Sequence, residues 1–223
     1  MGKNLIQQRR GRGTFTYMVP RSGKRYNPLY SDKKKGVVKD ILHDRGRDAP
    51  IIEIEYDDRS INYMIAPKGI KVGDVVENLG VPLSTVQEGS QIFGLETYPN
   101  SGPKLCMSPG SFATVVSKTP KSCLVKMPSR KEKTFSLSCR VSLGVPAGDG
   151  RNDQPFTKAG VKHHFMRARG KLYPRTSPVK MNAIDHPFGG ATSVGTPMTI
   201  SRHAPPGAKV ESVAARRTGR KNK

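Results

Sequence analysis

The sequence predicts an all-β fold, an OB-like barrel followed by an SH3-like barrel, with extended irregular basic arms before and after them. Three observations carry that reading. Residues 36–145 are filled by short stretches in which apolar and polar residues alternate with the period of a strand. Gly, Pro, Asn and Asp break these stretches at short intervals. Both ends of the chain mix Pro, Gly and basic residues without any apolar period. The division is a basic N-terminal extension over 1–35, the first barrel over 36–100, the second over 101–160 and a basic C-terminal arm over 161–223.

The N-terminal extension runs Gln7-Gln8-Arg9-Arg10-Gly11-Arg12-Gly13-Thr14 and then Pro20-Arg21-Ser22-Gly23-Lys24-Arg25-Tyr26, which gives neither helix nor strand a face to bury. The first barrel opens with a strand over Val37 to Leu42. In Pro50 to Tyr56, Ile52, Ile54 and Tyr56 share one face and Glu53 and Glu55 the other. Ser60 to Ala66 repeats the pattern with Ile61, Tyr63 and Ile65, and Asp57-Asp58-Arg59 makes the hairpin turn between them. Val75 to Glu77 and Gln91 to Glu96 complete about five strands, a number that suits a small closed barrel of the OB type.

After Asn100-Ser101-Gly102-Pro103 a second series begins, with strands over Phe112 to Ser117, Cys123 to Met127, Thr134 to Cys139 and Arg140 to Val145. Phe135, Leu137 and Cys139 lie on one face, and Pro128-Ser129-Arg130-Lys131 forms a basic turn. Strands this short with tight turns suit an SH3-like barrel of about sixty residues, near the lower limit for a core that stands alone. Packing of the barrels together, and a bound partner, are expected to stabilise both. The C-terminal arm is dense in Pro, Gly and bases from about residue 166. It is not low in complexity, because Met181, Asn182, Ile184, His186 and Phe188 each occur singly; an extended chain that becomes ordered against a partner fits it.

Hydrophobic residues make up 35% of the chain and aromatics 6%, and Trp is absent, so the core must be built from Val, Ile, Leu and Met. The formal charge of +22 calls for a polyanionic partner. It is also segregated. Residues 1–35 carry ten bases and one acid, residues 36–100 six bases and eleven acids, residues 101–160 ten and three, and residues 161–223 thirteen and two. Positive ends around an acidic middle are an electrostatic footprint for phosphate rather than a mixed solvated surface. With no long apolar run, signal peptide or basic amphipathic helix to favour a membrane, nucleic acid is the expected partner of a soluble, intracellular chain.

The residues that would carry catalysis do not assemble into a motif. His43-Asp44 could hold a divalent ion only with further ligands, and His163, His164, His186 and His203 all lie in the basic C-terminal region; a turn in which Asp44 accepts backbone N–H bonds is expected instead. Asp185-His186-Pro187 could supply a general base, but no nucleophile accompanies it at a meaningful spacing. Gly11-Arg12-Gly13 and Gly148-Asp149-Gly150-Arg151 lack the strand, helix and Lys-Ser/Thr ending of a phosphate loop. Cys106, Cys123 and Cys139 lack the close-paired spacing of a zinc ribbon and read as small apolar fillers in a reduced compartment.

Seven strings, in order over nearly the whole chain, resemble the ribosomal large-subunit L-two protein family in its archaeal and eukaryotic form. They are Gln8 to Thr14; Val38 to Asp44 with Gly46-Arg47-Asp48-Ala49-Pro50; Ile65-Ala66-Pro67-Lys68-Gly69-Ile70; Pro82-Leu83-Ser84 with Glu88-Gly89; Lys158-Ala159-Gly160; Met181-Asn182-Ala183-Ile184-Asp185-His186-Pro187-Phe188-Gly189-Gly190; and Ala214-Ala215-Arg216-Arg217-Thr218-Gly219-Arg220. Phe188 follows the archaeal and eukaryotic pattern. Ala191 to Val194, Ser177-Pro178 and Tyr173-Pro174 depart from it.

The resemblance implies the OB-like and SH3-like pair, tails that thread into large-subunit rRNA, and a Met181–Gly190 stretch directed toward the peptidyl transferase region. It further implies a cytoplasmic chain, part of the large ribosomal subunit, with neighbouring ribosomal proteins and, across an intersubunit bridge, the small subunit as partners. The expected rRNA contacts are Arg9, Arg10, Arg12, Lys158, Arg167, Arg169, Lys171, Arg175, Lys180, Asn182, His186, Arg202, Arg216, Arg217 and Arg220. Arginine suits such sites because its planar fork bridges phosphates or stacks on bases. No cofactor is expected, with Mg2+ present only as ions of the surrounding rRNA. Two rivals remain: a metal- or His-assisted RNA hydrolase, and a free single-strand-binding OB protein, which the acidic, aromatic-poor first barrel disfavours.

Overall fold

The computed structural model describes residues 3–10, 12–33, 35–77, 79–151, 153–190, 199–205 and 212–215. The chain divides into two compact units, Val19–Arg169 and the pair Met1–Met18 with Gly170–Lys223.

In the Val19–Arg169 unit the first sheet is antiparallel, in the order β3-β2-β1-β4, with β1 Gly36–Leu42, β2 Ile51–Tyr56, β3 Ile61–Ile65 and β4 Val75–Val76. Alternation sets its faces: Val38, Ile52, Ile54, Tyr56 and Met64 are buried in one cluster, while Val37 is exposed and Glu53 and Glu55 are half-buried. A bulge between Val38 and Asp40 bends β1. The β2–β3 turn falls on Asp57-Asp58-Arg59, where Arg59 takes a left-handed φ of 60° and the Asp58 carboxylate accepts from the Ser60 N–H at 3.2 Å and Oγ at 2.7 Å.

The second sheet has six strands in the order β5-β10-β6-β7-β8-β9: β5 Leu79–Pro82, β6 Gln91–Phe93, β7 Ala113–Lys118, β8 Ser122–Lys126, β9 Glu132–Ser136 and β10 Arg140–Leu143. The two curled sheets make the all-β fold OB-like and then SH3-like. The strand pairing nevertheless moves the change of sheet. β5 and β6 fall within residues 36–100, yet both flank β10 in the second sheet, so the change comes between Val76 and Leu79 rather than at Asn100–Pro103. The Gly/Pro break at 100–103 is only a turn inside the second barrel, closed by the Leu95–Leu105 bridge. Leu83, Val86, Ile92 and Leu95 accordingly enter one core with Val115, Val125, Phe135 and Val141. Cys123 and Cys139 fill the same core; a tight turn, Cys139 N–H to Ser136 O at 3.1 Å, drops Cys139 into it just beyond β9.

Two polar groups tie this unit together. Tyr30, in the segment before β1, is buried and donates its hydroxyl to Gly94 O at 2.8 Å, 3.2 Å from Ser142 Oγ. Glu96 is wholly buried and accepts the N–H groups of Asn100, Gly102 and Arg140.

The arms are less irregular than their composition suggests. Ala159–Ala168 is an α-helix, α2, where the sequence predicts the end of a barrel and the start of an extended arm; a five-residue helix, α1, spans Ile6–Arg10. Residues 161–169 contain neither Gly nor Pro, so the helix has no internal breaker. Lys158 precedes it in extended conformation, and Gly170, at φ 62°, follows its last turn. In the other unit β11 Thr199–Ile200 pairs in parallel with β12 Ser212–Val213.

Candidate nucleic-acid interface

In the unit formed by the two chain ends, residues 181–190 close into a compact loop. The Gly190 N–H donates to Met181 O at 3.0 Å, the Gly189 N–H to His186 O at 2.8 Å, and the N–H groups of Asp185 and His186 both reach Asn182 O. Gly189 lies where a Cβ would come within 2.2 Å of Asn182 O, so only glycine allows the closure. The N-terminal segment lies alongside: Lys3 N–H donates to Ile184 O at 2.9 Å, and Lys3 Nζ pairs with Asp185 at 2.8 Å.

His186 is buried in this loop. The Phe188 N–H donates to its Nδ1 at 3.0 Å and the two rings lie 5.2 Å apart, so the neutral imidazole carries its own proton on Nε2. A cleft of about 450 Å³ is lined by Ile6, Leu172, Pro174 and Met181, by the cations of Arg9 and Lys180, and by Asn182, Asp185 and His186. A cleft lined by apolar side chains together with an amide, an imidazole and two cations is able to take a splayed base while meeting its phosphate.

The Val19–Arg169 unit has a second basic set on and beside α2. Arg169 stacks on Phe165, with its guanidinium carbon 3.5 Å from the ring centre, and Arg151 lies 5.0 and 5.2 Å from the rings of Phe165 and Phe156, which meet edge to face. Arg169 Nη2 reaches Asp48 at 2.6 Å and Nη1 donates to the carbonyls of Arg45 and Phe165. Burial pushes the Arg169 guanidinium below its ordinary pKa, Asp48 opposes that shift and Arg151 adds to it. Arg169 is thus a structural anchor of the helix, while Lys158 and Arg167 stay exposed.

The predicted residues therefore separate. Arg9, Arg10, Arg12, Lys171, Arg175, Lys180, Asn182 and Arg202 are exposed; Arg9, Lys180, Asn182 and His186 come together at the cleft. Arg216, Arg217 and Arg220 lie outside the described residues. Asp44 is buried and accepts the Arg25 N–H at 3.2 Å and Arg47 Nε at 3.1 Å, the turn role its sequence context implies. Among the described residues no three His, Cys, Asp or Glu side chains group as metal ligands, and no helix is long and apolar enough to cross a membrane. Sequence reasoning misses the Arg151–Phe156–Phe165–Arg169 stack. Its signal was the spacing of Phe165 and Arg169, one helical turn apart.

Exposed cations on both units are the mark of a basic nucleic-acid-binding protein. Residues 24–78 match the family model described as Ribosomal Proteins L2, RNA binding N-terminal domain, and residues 77–209 match Ribosomal Proteins L2, C-terminal domain. The chain belongs to the L2 family of ribosomal proteins, and it is not an enzyme. The junction of the two family models falls where β4 gives way to β5. The large ribosomal subunit protein uL2 of Methanococcus aeolicus is 41% identical over 99% of this chain and 100% of its own length. That of Methanocaldococcus jannaschii is 41% identical over 98% and 99%, and that of Archaeoglobus fulgidus 42% over 98% and 99%.

Proposed function

We propose that this chain is a structural constituent of the cytoplasmic large ribosomal subunit, where it binds rRNA, stabilises the RNA around the peptidyl transferase region and supports association with the small subunit. The observation that carries the reading is the Met181–Gly190 loop, closed on its own backbone and bordered by Arg9 and Lys180. A preformed loop loses little entropy on binding, and the flanking cations release counterions from RNA phosphates. Arg10, Arg12, Lys158, Arg167, Lys171, Arg175, Arg202, Arg216, Arg217 and Arg220 add phosphate contacts along the arms. Arg169 acts indirectly, by holding α2 in place. His186 presents Nε2–H to an RNA acceptor while catalysis stays with the RNA, and Mg2+ enters only as ions of that RNA.

Gradient sedimentation of the tagged chain tests the assignment. It should travel with large subunits and with joined ribosomes at physiological salt, and a free pool with no large-subunit peak would refute it. A chain carrying Asn182→Ala and His186→Ala should still enter large subunits. Those subunits should show altered chemical reactivity of peptidyl-transferase RNA and weaker joining to small subunits.

A further inference from the structure

We propose that the outer face of the first sheet is a docking surface for a basic, partly apolar segment of a neighbouring protein, and that RNA does not contact it. The inference rests on the ribosomal reading above, which supplies the crowded setting. Residues 36–77 carry nine acids and six bases in a chain whose formal charge is +22. Five of those acids meet a cation, Asp44 with Arg47, Asp48 with Arg169, Asp58 with Lys33, Glu77 with Lys35 and Glu55 with Lys39. The others gather on the first sheet and its turns. Strand register sets Asp40 directly across from Glu53, and Glu55 between Val37 and Ile61. Like charges directly opposite on neighbouring strands repel. Among the described residues Lys39 pairs with Glu55 at 3.3 Å, whereas Asp40, Glu53 and Asp57 have no cation partner.

The same face is apolar in one row. Ile61, Glu55, Val37 and Val75 follow one another across all four strands, and the three apolar members are 47%, 44% and 51% exposed. A phosphate backbone laid on this row would meet the Asp40–Glu53 pair and be repelled, and the aromatic ring across from Glu53, Tyr63, is half-buried and already packed on Tyr26 at 4.9 Å. A protein segment with Lys or Arg opposite Asp40 and Glu53 and with apolar side chains over Ile61, Val37 and Val75 satisfies both features. Proteins that share a polyanionic scaffold are themselves basic, so charge complementarity favours such a neighbour over solvent.

The test uses large subunits assembled with a Val75→Cys chain labelled with a benzophenone maleimide, with wild-type subunits as the background. Irradiation should join position 75 to a Lys/Arg-rich peptide of another ribosomal protein, identified by mass spectrometry. Adding Glu53→Gln, which preserves side-chain size, should lower the yield several-fold. An adduct to rRNA, an adduct to a second copy of this chain, no adduct, or a yield indifferent to Glu53→Gln would each overturn the proposal. A parallel label at Thr176→Cys, beside the cleft, should give rRNA adducts. If that label fails while position 75 still reaches a basic protein, the rRNA reading falls and the docking surface stands.

Discussion

Arg169 and Asp48, 121 residues apart in the chain, meet at 2.6 Å and fasten α2 to the first barrel. The Arg169 side chain is only 12% exposed, and its ring contact with Phe165 shields the pair further. Arg169→Ala should therefore destabilise the free protein by about 2 kcal/mol, lowering Tm by roughly 4–8 °C. Arg167→Ala, two positions away on the exposed side, should leave Tm unchanged and reduce the salt slope of rRNA binding by about 1. Calorimetry with binding titrations at several salt concentrations separates the two roles.

Glu96 sits at the centre of a second fixed arrangement. It accepts backbone N–H groups from Asn100 at 3.2 Å, Gly102 at 3.0 Å and Arg140 at 2.9 Å, and its Oε1 lies 3.4 Å from Arg140 Nε. Truncation would leave the buried Gly102 N–H and the part-buried N–H groups of Asn100 and Arg140 without their acceptor, and take one of two carboxylates from the Arg140 guanidinium. Glu96→Ala should destabilise by about 3–5 kcal/mol in urea unfolding. Asp32→Ala, which removes the fully exposed partner of the same Arg140, should change stability by less than about 1 kcal/mol.

These residues mark the limit of what the sequence alone discloses. Strand existence was legible wherever one face is wet, as in Ile52-Glu53-Ile54-Glu55-Tyr56, because alternation records burial directly. The turn at Asp57–Arg59 was legible from its side chains. The home sheet of β5 and β6 was not, since pairing with β10 is a contact over about sixty residues for β5 and about fifty for β6 that no local pattern encodes. Glu96 reads as one more acid of an acidic segment, although its donors come from the turn that the Gly/Pro signal presents as a boundary. In the site, the cations were legible as charge. That Arg169 is bound inward and Arg167 outward depends on where α2 lies, and the density of bases around it masked the helix.

Tyr30 joins the segment before β1 to the second sheet. Its hydroxyl donates to Gly94 O, which leaves Ser142 Oγ to donate to the Tyr30 oxygen at 3.2 Å. Burial raises its pKa well above the ordinary 10, with the Ser142 hydrogen bond opposing the shift and the charge of Glu96 adding to it. A raised folded-state pKa stabilises below the unfolded value, and that contribution is lost as pH climbs beyond 10. Tyr30→Phe should cost about 1–2 kcal/mol at neutral pH and flatten the loss of stability above pH 10, as read by denaturant unfolding across pH.

Thiol chemistry gives an independent view of the second core. Cys123 and Cys139 are fully buried, so native protein should resist alkylation at both until it unfolds. Cys106 is only half-buried, and burial pushes its thiol up from 9 to about 11. Iodoacetamide should therefore label Cys106 alone, slowly at neutral pH, with a rate that rises about tenfold per unit toward pH 10 as thiolate forms. Because its folded pKa is the higher one, its contribution to stability is complete below pH 9 and disappears as pH passes 11. Rapid labelling of Cys123 or Cys139 at neutral pH would contradict the core as described.

Two glycines separate backbone constraint from helix propensity. At Gly189 a Cβ would lie 2.2 Å from Asn182 O and 2.6 Å from Met181 O, both main-chain atoms of the same closed loop. Gly189→Ala must therefore break the Gly190–Met181 closure, and it should weaken incorporation into large subunits at least tenfold while barely moving the unfolding of the barrels. At Gly160, in the first turn of α2, a Cβ meets nothing within 4 Å. Gly160→Ala should instead stabilise by about 0.5–1 kcal/mol through helix propensity and leave incorporation intact. Competition between wild-type and variant chains for assembly, read by quantitative mass spectrometry of purified large subunits, measures both. Equal incorporation of the Gly189 variant would mean that the closed loop is dispensable for RNA binding.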